Sequence, residues 1–166
     1  MGDGLFEKVQ ECAAAVKKRA PGFKPGAAII LGSGLGDFAD SLEAKVVIPY
    51  TELPHFPSSS VVGHAGRLVL GTLEGQSVMA MQGRVHFYEG YPGWQVAFPA
   101  RVLCALGPKA LVVTNAAGGI NLDFKVGDLM AITDHLNFSG WNALVGTNDE
   151  RLGPRFPDMS HAYDPR

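Results

Sequence analysis

The sequence predicts an α/β domain, and two observations support this fold class. Short, wholly apolar runs alternate along the chain with stretches of helical periodicity, which is typical of buried strands and of the helices that cover them. Glycine-rich and polar residues follow directly after these runs, where ligand sites form in open α/β sheets. The chain has 166 residues, the length of one domain, and no repeat or linker divides it into two.

The first predicted element is an amphipathic helix over residues 5–20, in which Leu5, Val9 and Val16 recur at helical spacing. Prolines and glycines in residues 21–26 interrupt the helical pattern. Residues 27–31 are all apolar and end in a glycine-rich stretch, so they predict a buried strand.

The middle of the chain predicts a loop and then a hairpin. Residues 49–66 are rich in proline, serine and glycine, which is typical of a loop. Two apolar runs, residues 68–73 and 77–81, flank Glu74-Gly75-Gln76. Two such runs joined by a short glycine-containing turn predict a β-hairpin.

A second helix is predicted over residues 94–106, and Pro99 must lie in its first turn or kink it. Residues 110–114 predict a second buried strand, and residues 128–133 predict a third. After Phe138 the sequence is polar and irregular.

Charge and composition argue against a role on nucleic acid or at a membrane surface. There are 14 basic and 16 acidic residues, a formal net charge of −2, so no basic excess exists to drive either kind of binding. No apolar run approaches the ~18 residues of a membrane span, and charged residues interrupt the N-terminal stretch where a signal peptide would be apolar. Cys12 and Cys104 are expected to be buried free thiols, which suits a reducing compartment. We therefore expect a cytoplasmic protein.

The stretch LGSGLGDFADSL, which begins at Leu31, is a candidate anion site. Gly32, Gly34 and Gly36 alternate, and Asp37 occupies the position where a dinucleotide fingerprint needs its last glycine. No P-loop lysine follows. A glycine-rich turn after a buried strand can still offer backbone N–H groups to an anion, with the Ser33 hydroxyl as a further donor. The alternative is a tight turn chosen only for its backbone dihedrals.

The stretch MQGRVHFYEGY is a second candidate site, because Arg84, His86 and Tyr88 alternate. In an extended chain these three side chains share one face, and each can donate to phosphate or to a sugar hydroxyl. Glu89 could orient the imidazole if a turn after Tyr88 brings it round. The alternative is the polar outer face of an edge strand. His64, between two glycines, is either a further donor or a solvent-facing loop residue.

The stretch VVTNAAGGI ends a predicted strand with Asn115, two alanines and two glycines. Small residues there allow a flat ligand or an anion to touch the backbone, or allow close packing against a helix. The five histidines have no H-x-x-x-H pair and no C-x-x-C occurs, so no metal site is expected. A Ser–His–Asp hydrolase is poorly supported, because GSGLG lacks the G-x-S-x-G pattern around a hydrolase nucleophile.

Together these stretches closely resemble the trimeric class of purine nucleoside phosphorylases. The matching segments come in that family's order and cover nearly everything from Ala27 onwards. They are ILGSGLGDFADSL, ELPHFPSSSVVGHAGRLVLG, MQGRVHFYEGYP, LVVTNAAGGIN, VGDLMAITDHLNF and GTNDERLGPRFPDMSHAYD. The resemblance implies a mixed central β-sheet flanked by helices, in a single incomplete domain over residues 1–166.

The resemblance also implies an activity, the exchange of the base of a purine (deoxy)ribonucleoside for phosphate in purine salvage, with inversion at C1′. Phosphate is then a co-substrate, and no cofactor is implied. Breaking the glycosidic bond develops positive charge on the sugar, which a phosphate dianion held below C1′ can stabilise and then attack. Such a site needs anion donors and no nucleophile of its own.

The roles that the resemblance implies fall into three groups. The expected phosphate ligands are Ser33, His64, Arg84, His86 and the backbone N–H of Ala116. The expected catalytic residues are His86 and Glu89. The expected nucleoside-binding residues are Tyr88, Asn115, Ala117, Gly118 and Phe156. Phe156 would reach into the ribose pocket of a neighbouring subunit, which implies a homotrimer.

The sequence departs from that family because the purine-recognising glutamate and asparagine, a later strand and a closing helix lie in a C-terminal portion beyond Arg166. Two alternatives therefore stay open. One is a methylthioadenosine phosphorylase, which TNAAGG, GHAGR and RVHFYEG disfavour. The other is a truncated, catalytically inactive chain that only binds phosphate.

Overall fold

The computed structural model describes residues 4–58 and 65–165. The strands are β1 (Ala27–Leu31), β2 (Glu43–Pro49), β3 (Arg67–Leu73), β4 (Gln76–Gln82) and β5 (Ala110–Val113). They form one mixed sheet in the order β2-β3-β4-β1-β5. The helices are α1 (Leu5–Arg19), α2 (Asp37–Asp40) and α3 (Gly93–Ala105), with 3-10 turns at Tyr50–Glu52 and Phe87–Glu89. The α/β fold class and the mixed sheet with flanking helices are confirmed.

Strand β1 lies at the parallel centre of the sheet. It pairs in parallel with β4 on one side and with β5 on the other. Strand β3 pairs antiparallel with both β2 and β4. The carboxyl ends of β1, β4 and β5 therefore meet at one edge of the sheet, which is the position of ligand sites in open α/β sheets.

The two faces of the sheet pack into separate apolar cores. Alternating residues of β1 divide between them, with Ala28 and Ile30 on the side of α1 and α3 and Leu31 on the side of α2. The larger core joins Val9, Cys12 and Val16 of α1 to Phe98, Val102 and Leu103 of α3 across the strands. The smaller core contains Ala39 of α2 and Leu42. This packing holds β1, with the loop that follows it, between the two layers.

The predicted hairpin is confirmed as β3 and β4. Their last paired residues are Leu73 and Gln76, so Glu74 and Gly75 form a two-residue turn. Both turn residues have positive φ, 49° and 75°. This is the backbone of a type I′ turn, whose twist matches that of the flanking strands.

Several elements between β1 and β3 were not predicted from the sequence. Strand β2 and helix α2 were not predicted, because β2 begins with exposed charged residues and α2 is a single turn. Within the predicted loop, Tyr50, Leu53 and Phe56 are buried in the larger core. The Tyr50 hydroxyl donates to the Gly83 carbonyl at 2.7 Å, just before Arg84.

In the second half, Pro99, which was predicted to lie in the first turn of its helix or to kink it, lies beyond the first turn of α3, where it is buried. One element there differs from the prediction. Residues 128–133, predicted as a third buried strand, are not a strand in the structure. The leucine at 129 is 96% exposed and no strand lies beside it in the described part of the chain, so its backbone has no sheet partner.

The cysteine prediction is correct for one residue and wrong for the other. Both are free thiols, and Cys12 is fully buried, but Cys104 is exposed because it lies on the outer side of α3. None of the helices in residues 4–58 and 65–165 combines the length and the apolar character needed to cross a bilayer.

Candidate active site

The residues that follow β1, β4 and β5 converge at one edge of the sheet. Gly32 comes directly after β1, Arg84 lies two residues after β4, and Thr114 comes directly after β5. The structure thus brings together three of the stretches in which the sequence places candidate ligands. Their convergence follows from the parallel pairing of the three strands.

Thr114 joins the other two segments by hydrogen bonds. Its hydroxyl accepts from the Gly32 N–H at 2.8 Å and donates to the Ile30 carbonyl at 3.1 Å. Its backbone carbonyl accepts from the Arg84 guanidinium at 2.7 Å. Thr114 therefore holds both the Arg84 side chain and the start of the glycine-rich stretch, one through its carbonyl and the other through its hydroxyl.

The glycine-rich stretch, residues 32–36, forms a tight turn, hereafter the glycine loop. The Leu35 N–H donates to the Gly32 carbonyl at 3.2 Å, and Gly34 has φ 81°, which favours glycine. A Cβ on Gly32 would lie 2.6 Å from the Thr114 carbonyl, so only glycine fits there. Ser33 is exposed at the outer side of this turn. Both readings of the motif, tight turn and anion site, remain compatible with this geometry.

His86 and Tyr88 lie against each other beyond Arg84. Strand β4 ends at Gln82, and Phe87–Glu89 is a 3-10 turn, so the prediction of one continuous strand face is wrong for this stretch. The turn nevertheless stacks the two rings, with centroids 4.8 Å apart and planes 12° apart. Sequence periodicity misplaced the backbone here but correctly placed two of the side chains together.

Glu89 contacts His86. The sequence predicted this contact only on the condition that a turn brings the two side chains together, and the 3-10 turn does so. One carboxylate oxygen, Oε1, accepts from the His86 backbone N–H at 2.7 Å and lies 3.1 Å from the ring Nδ1. The Glu89 backbone N–H also reaches the His86 side chain, which closes a capping box around the turn. The Glu89 side chain is 3% exposed. The imidazole is thereby fixed in orientation beside Tyr88.

A cavity of about 380 Å³ opens beside these residues, between the sheet and the middle of α3. Arg84, His86 and Tyr88 line it together with apolar residues that include Ile30 and Val113. A mostly apolar cavity of this size with a few convergent polar groups has the character of a small-molecule site. No three His, Cys, Asp or Glu residues group as metal ligands within residues 4–58 and 65–165.

Other predicted residues lie outside this cluster. Asn115, Ala116, Ala117 and Gly118 follow Thr114 in an exposed segment. Phe156 is 87% exposed on the irregular C-terminal segment, where Arg155 lies 5.9 Å from its ring. His64 falls outside the described residues.

Two residues of the cluster were missed by sequence reasoning. Thr114 stands inside the quoted VVTNAAGGI, where a hydroxyl at a strand end is the only signal. Gln82 ends β4 and is buried at 7% exposure. A buried polar side chain at a strand end indicates a specific set of hydrogen-bond partners, but its burial cannot be read from sequence alone.

Most of the chain matches a known protein family. The family model described as "Phosphorylase superfamily" matches residues 27–166. The chain belongs to the phosphorylase superfamily.

Curated superfamily members with high identity carry the name purine nucleoside phosphorylase. Purine nucleoside phosphorylase 1 of Bacillus subtilis is 58% identical over 160 residues, which are 96% of this chain and 59% of that protein. Purine nucleoside phosphorylase of Bos taurus is 56% identical over 144 residues, 85% of this chain and 50% of that protein. The chain thus spans between half and three fifths of the length of these relatives.

Solved structures of the superfamily share the fold. A purine nucleoside phosphorylase of Schistosoma mansoni in complex with acetate aligns with a TM-score of 0.87 at 48% identity, covering 96% of this chain and 59% of that one. The enzyme of the same organism in complex with inosine aligns with a TM-score of 0.86 at 48% identity, covering 96% of this chain and 56% of that one.

Proposed function

We propose that the chain binds phosphate and a purine nucleoside and acts in the phosphorolysis of purine (deoxy)ribonucleosides. The products are the free purine base and (deoxy)ribose 1-phosphate. The observation that carries the proposal is the hydrogen bonding of Thr114 to both Gly32 and Arg84, beside the stacked His86 and Tyr88. The names of the relatives support the substrate class.

The phosphate is assigned to the edge of the sheet where the three strands end. Arg84 supplies a permanent positive charge and a planar set of N–H donors that suits phosphate. Ser33, His64, His86 and the Ala116 backbone N–H are the further donors in this proposal. The Arg84 guanidinium already donates to the Thr114 carbonyl, so the carbonyl orients it towards the strand ends.

The nucleoside is assigned to the cavity side of the same cluster. Tyr88 addresses the ribose, and Asn115, Ala117 and Gly118 lie beside the nucleoside. His86, oriented by Glu89, lies between the phosphate and the sugar. Phe156 serves a neighbouring subunit of a homotrimer, which accords with its 87% exposure in a single chain. In this proposal the protein acts in the cytoplasm.

The chemistry requires positioning and charge stabilisation. A phosphate oxygen forms a bond to C1′ as the bond from C1′ to the purine nitrogen breaks, and the bonding electrons leave with the base, which takes a proton. The developing positive charge on the sugar is stabilised by the phosphate dianion. Holding the two reactants in one site supplies much of the rate acceleration. Phosphate is consumed as a co-substrate, and no cofactor takes part.

The direct test is an assay of inosine, guanosine and methylthioadenosine with and without phosphate. We expect phosphate-dependent release of hypoxanthine and guanine together with ribose 1-phosphate. Turnover of methylthioadenosine alone would instead assign the chain to the methylthioadenosine phosphorylases. Sedimentation of the same sample tests the homotrimer.

A second candidate is phosphate binding without turnover. The side chains of Leu111, Val112 and Val113 in β5 are exposed, as are the apolar residues Ile120, Leu122 and Val126 that follow. Uncovered apolar surface on this scale favours a chain that needs a further polypeptide for activity. Calorimetric binding of phosphate with no release of base from any of the three nucleosides would support this candidate over the first.

A further inference from the structure

The glycine loop is attached at both ends to neighbouring strands by side chains that have no assigned role. At its first residue, the Gly32 N–H donates to the Thr114 hydroxyl at 2.8 Å. At its last residue, the Gly36 carbonyl accepts from the Gln82 side-chain amide at 2.8 Å. Thr114 follows β5 and Gln82 ends β4, the two strands on either side of β1.

The Gln82 amide is held in one orientation by the chemistry of its partners. Its Oε1 accepts from the Arg67 Nε at 2.5 Å, and a guanidinium can only donate. Its Nε2 donates to the Gly36 carbonyl, which can only accept, and to the Asp40 carboxylate at 3.3 Å. Arg67 also pairs with Asp40 at 2.8 Å. A flipped amide would place the NH2 group against the Arg67 donor and the oxygen against the Gly36 carbonyl, so the network fixes the orientation of Gln82.

Gln82 also touches the other segments that converge at this edge. Its backbone carbonyl accepts from the Gly66 N–H at 3.0 Å, two residues after His64. Arg84 follows it by two residues. The Gln82 side chain is polar, yet the residue is buried, at 7% exposure. A buried amide is costly to keep unless its hydrogen bonds are made, so this position is tied to its partners.

We infer that Thr114 and Gln82 are positioning residues that hold the two ends of the glycine loop and set its distance from Arg84. The N–H groups of the loop other than those of Gly32 and Leu35, together with the Ser33 hydroxyl, are then preformed for the anion, and binding does not have to order them. The inference rests on the proposed function only in naming phosphate as the anion. Neither residue is expected to touch the phosphate.

The first test replaces the Thr114 hydroxyl in the full chain. Thr114→Val keeps the shape but cannot accept from Gly32 or donate to Ile30. We expect its phosphate affinity, measured by calorimetry, to fall about tenfold, the usual effect of losing one hydrogen bond, because only the bond to Gly32 reaches the loop. Thr114→Ser should restore the affinity. Thr72→Val is the matched control, because Thr72 lies at the hairpin end of β3, opposite the loops, and should bind like the wild type.

Wild-type phosphate affinity in Thr114→Val would overturn the inference, as would a loss that Thr114→Ser does not restore. A purely structural role for Thr114 predicts a lower melting temperature with unchanged phosphate affinity. The serine variant separates the two, since it restores the hydroxyl and not the methyl group.

The second test does not depend on phosphate. Amide hydrogen exchange of residues 32–36 reports directly on how firmly the loop is held. We expect faster exchange in Thr114→Val and in Gln82→Met, with unchanged exchange in β1 itself. Unchanged exchange in the loop of both variants would overturn the inference. If the wild type binds no phosphate, the proposed function fails, while this measurement still decides whether the two side chains hold the loop.

Discussion

One carboxylate oxygen of Glu89 contacts both the backbone N–H and the ring Nδ1 of His86. The distances are 2.7 and 3.1 Å, and the Glu89 side chain is 3% exposed. The four residues from His86 to Glu89 thus form a closed turn that fixes the imidazole against the Tyr88 ring. A buried carboxylate is costly unless it is hydrogen-bonded, so the turn and the ring orientation depend on each other.

The first prediction separates the two contacts of Glu89. Glu89→Ala removes the acceptor for the His86 N–H, and we expect the protein to lose about 1–2 kcal/mol of unfolding free energy, the usual cost of losing a cap. Glu89→Gln keeps an acceptor oxygen and should recover most of that loss, while phosphate-dependent turnover stays reduced because the charge opposite the imidazole is gone. Urea denaturation and the inosine assay measure the two effects. An alanine variant as stable as the wild type would contradict the role of the turn.

The second prediction concerns the charge of Arg84. Arg84→Ala should weaken phosphate binding by about 1.5–3 kcal/mol, the range for a hydrogen bond to a charged group. Arg84→Lys keeps the charge and loses the planar fork, so we expect an intermediate affinity. Calorimetry provides the measurement. Arg19→Ala is a charge-matched control, because Arg19 pairs with Glu52 on the surface. Equal affinity in Arg84→Ala and Arg19→Ala would argue against a phosphate at this edge of the sheet.

The third prediction concerns the contact between Gly32 and the end of β5. A Cβ at Gly32 would lie 2.6 Å from the Thr114 carbonyl and 2.9 Å from the Asn115 Cα. Both neighbours are backbone atoms and cannot move aside cheaply, so Gly32→Ala should destabilise the fold by about 1–3 kcal/mol. Gly119→Ala is the control, since its Cβ would make only ordinary contacts at 3.6 Å. Similar melting temperatures for the two variants would be the contrary result.

The sequence predicted the elements whose residues are buried on a regular period. Helix α1, strand β1 and the hairpin were placed within a residue or two, because their apolar periodicity reflects which side chains the cores bury. The sequence-based prediction failed where apolar residues are exposed or where residues of a polar, loop-like stretch are buried. The leucine at 129 is apolar but 96% exposed, so residues 128–133 do not form the predicted strand. Tyr50 stands in a loop-like stretch yet is buried.

The candidate site was predictable as a set of stretches but not as a geometry. Gly32, Arg84 and Asn115 stand after apolar runs, and parallel strands bring such positions together. The hydrogen bonds of Thr114 depend on which strands are neighbours, which no local pattern encodes. The turn at Phe87–Glu89 was missed because a local pattern was misleading. The alternation of polar and apolar residues there is typical of a strand, whereas the Glu89 side chain stabilises a turn.

The fourth prediction uses Trp141, which packs on the start of α3. Its ring stacks on Phe87 with centroids 4.9 Å apart, and a Cβ on Gly93 would overlap it at 1.4 Å from Cζ2. Gly93→Ala must therefore displace Trp141 towards water, and we expect its fluorescence emission to shift to longer wavelength. The same substitution in a Trp141→Phe background should leave only the emission of Trp94, without that shift. An unshifted spectrum in Gly93→Ala would mean that Trp141 does not pack there in solution.

The fifth prediction concerns the two cysteines, which differ in burial. Burial raises the pKa of the Cys12 thiol to about 12, with a smaller contribution from the Glu11 carboxylate. A neutral, buried thiol is a poor nucleophile, whereas Cys104 is exposed. A thiol reagent at pH 8 should therefore modify one cysteine per folded chain, and peptide mapping should find it at Cys104. Rapid modification of both in the folded protein would contradict the packing of α1.

The raised pKa of Cys12 also gives the stability a pH dependence with a definite sign. In the unfolded chain this thiol ionises near its ordinary value of about 8.5, whereas in the folded protein it stays neutral until about pH 12. Ionisation therefore favours the unfolded state, so the contribution is complete below about pH 8.5 and is lost as the pH rises towards 12. This window sets the conditions of the test. Between pH 9 and about pH 11 we expect the unfolding free energy to fall less in Cys12→Ala than in the wild type. Equal slopes in Cys12→Ala and the wild type would mean that the Cys12 thiol titrates alike in both states, which would contradict its burial under α1.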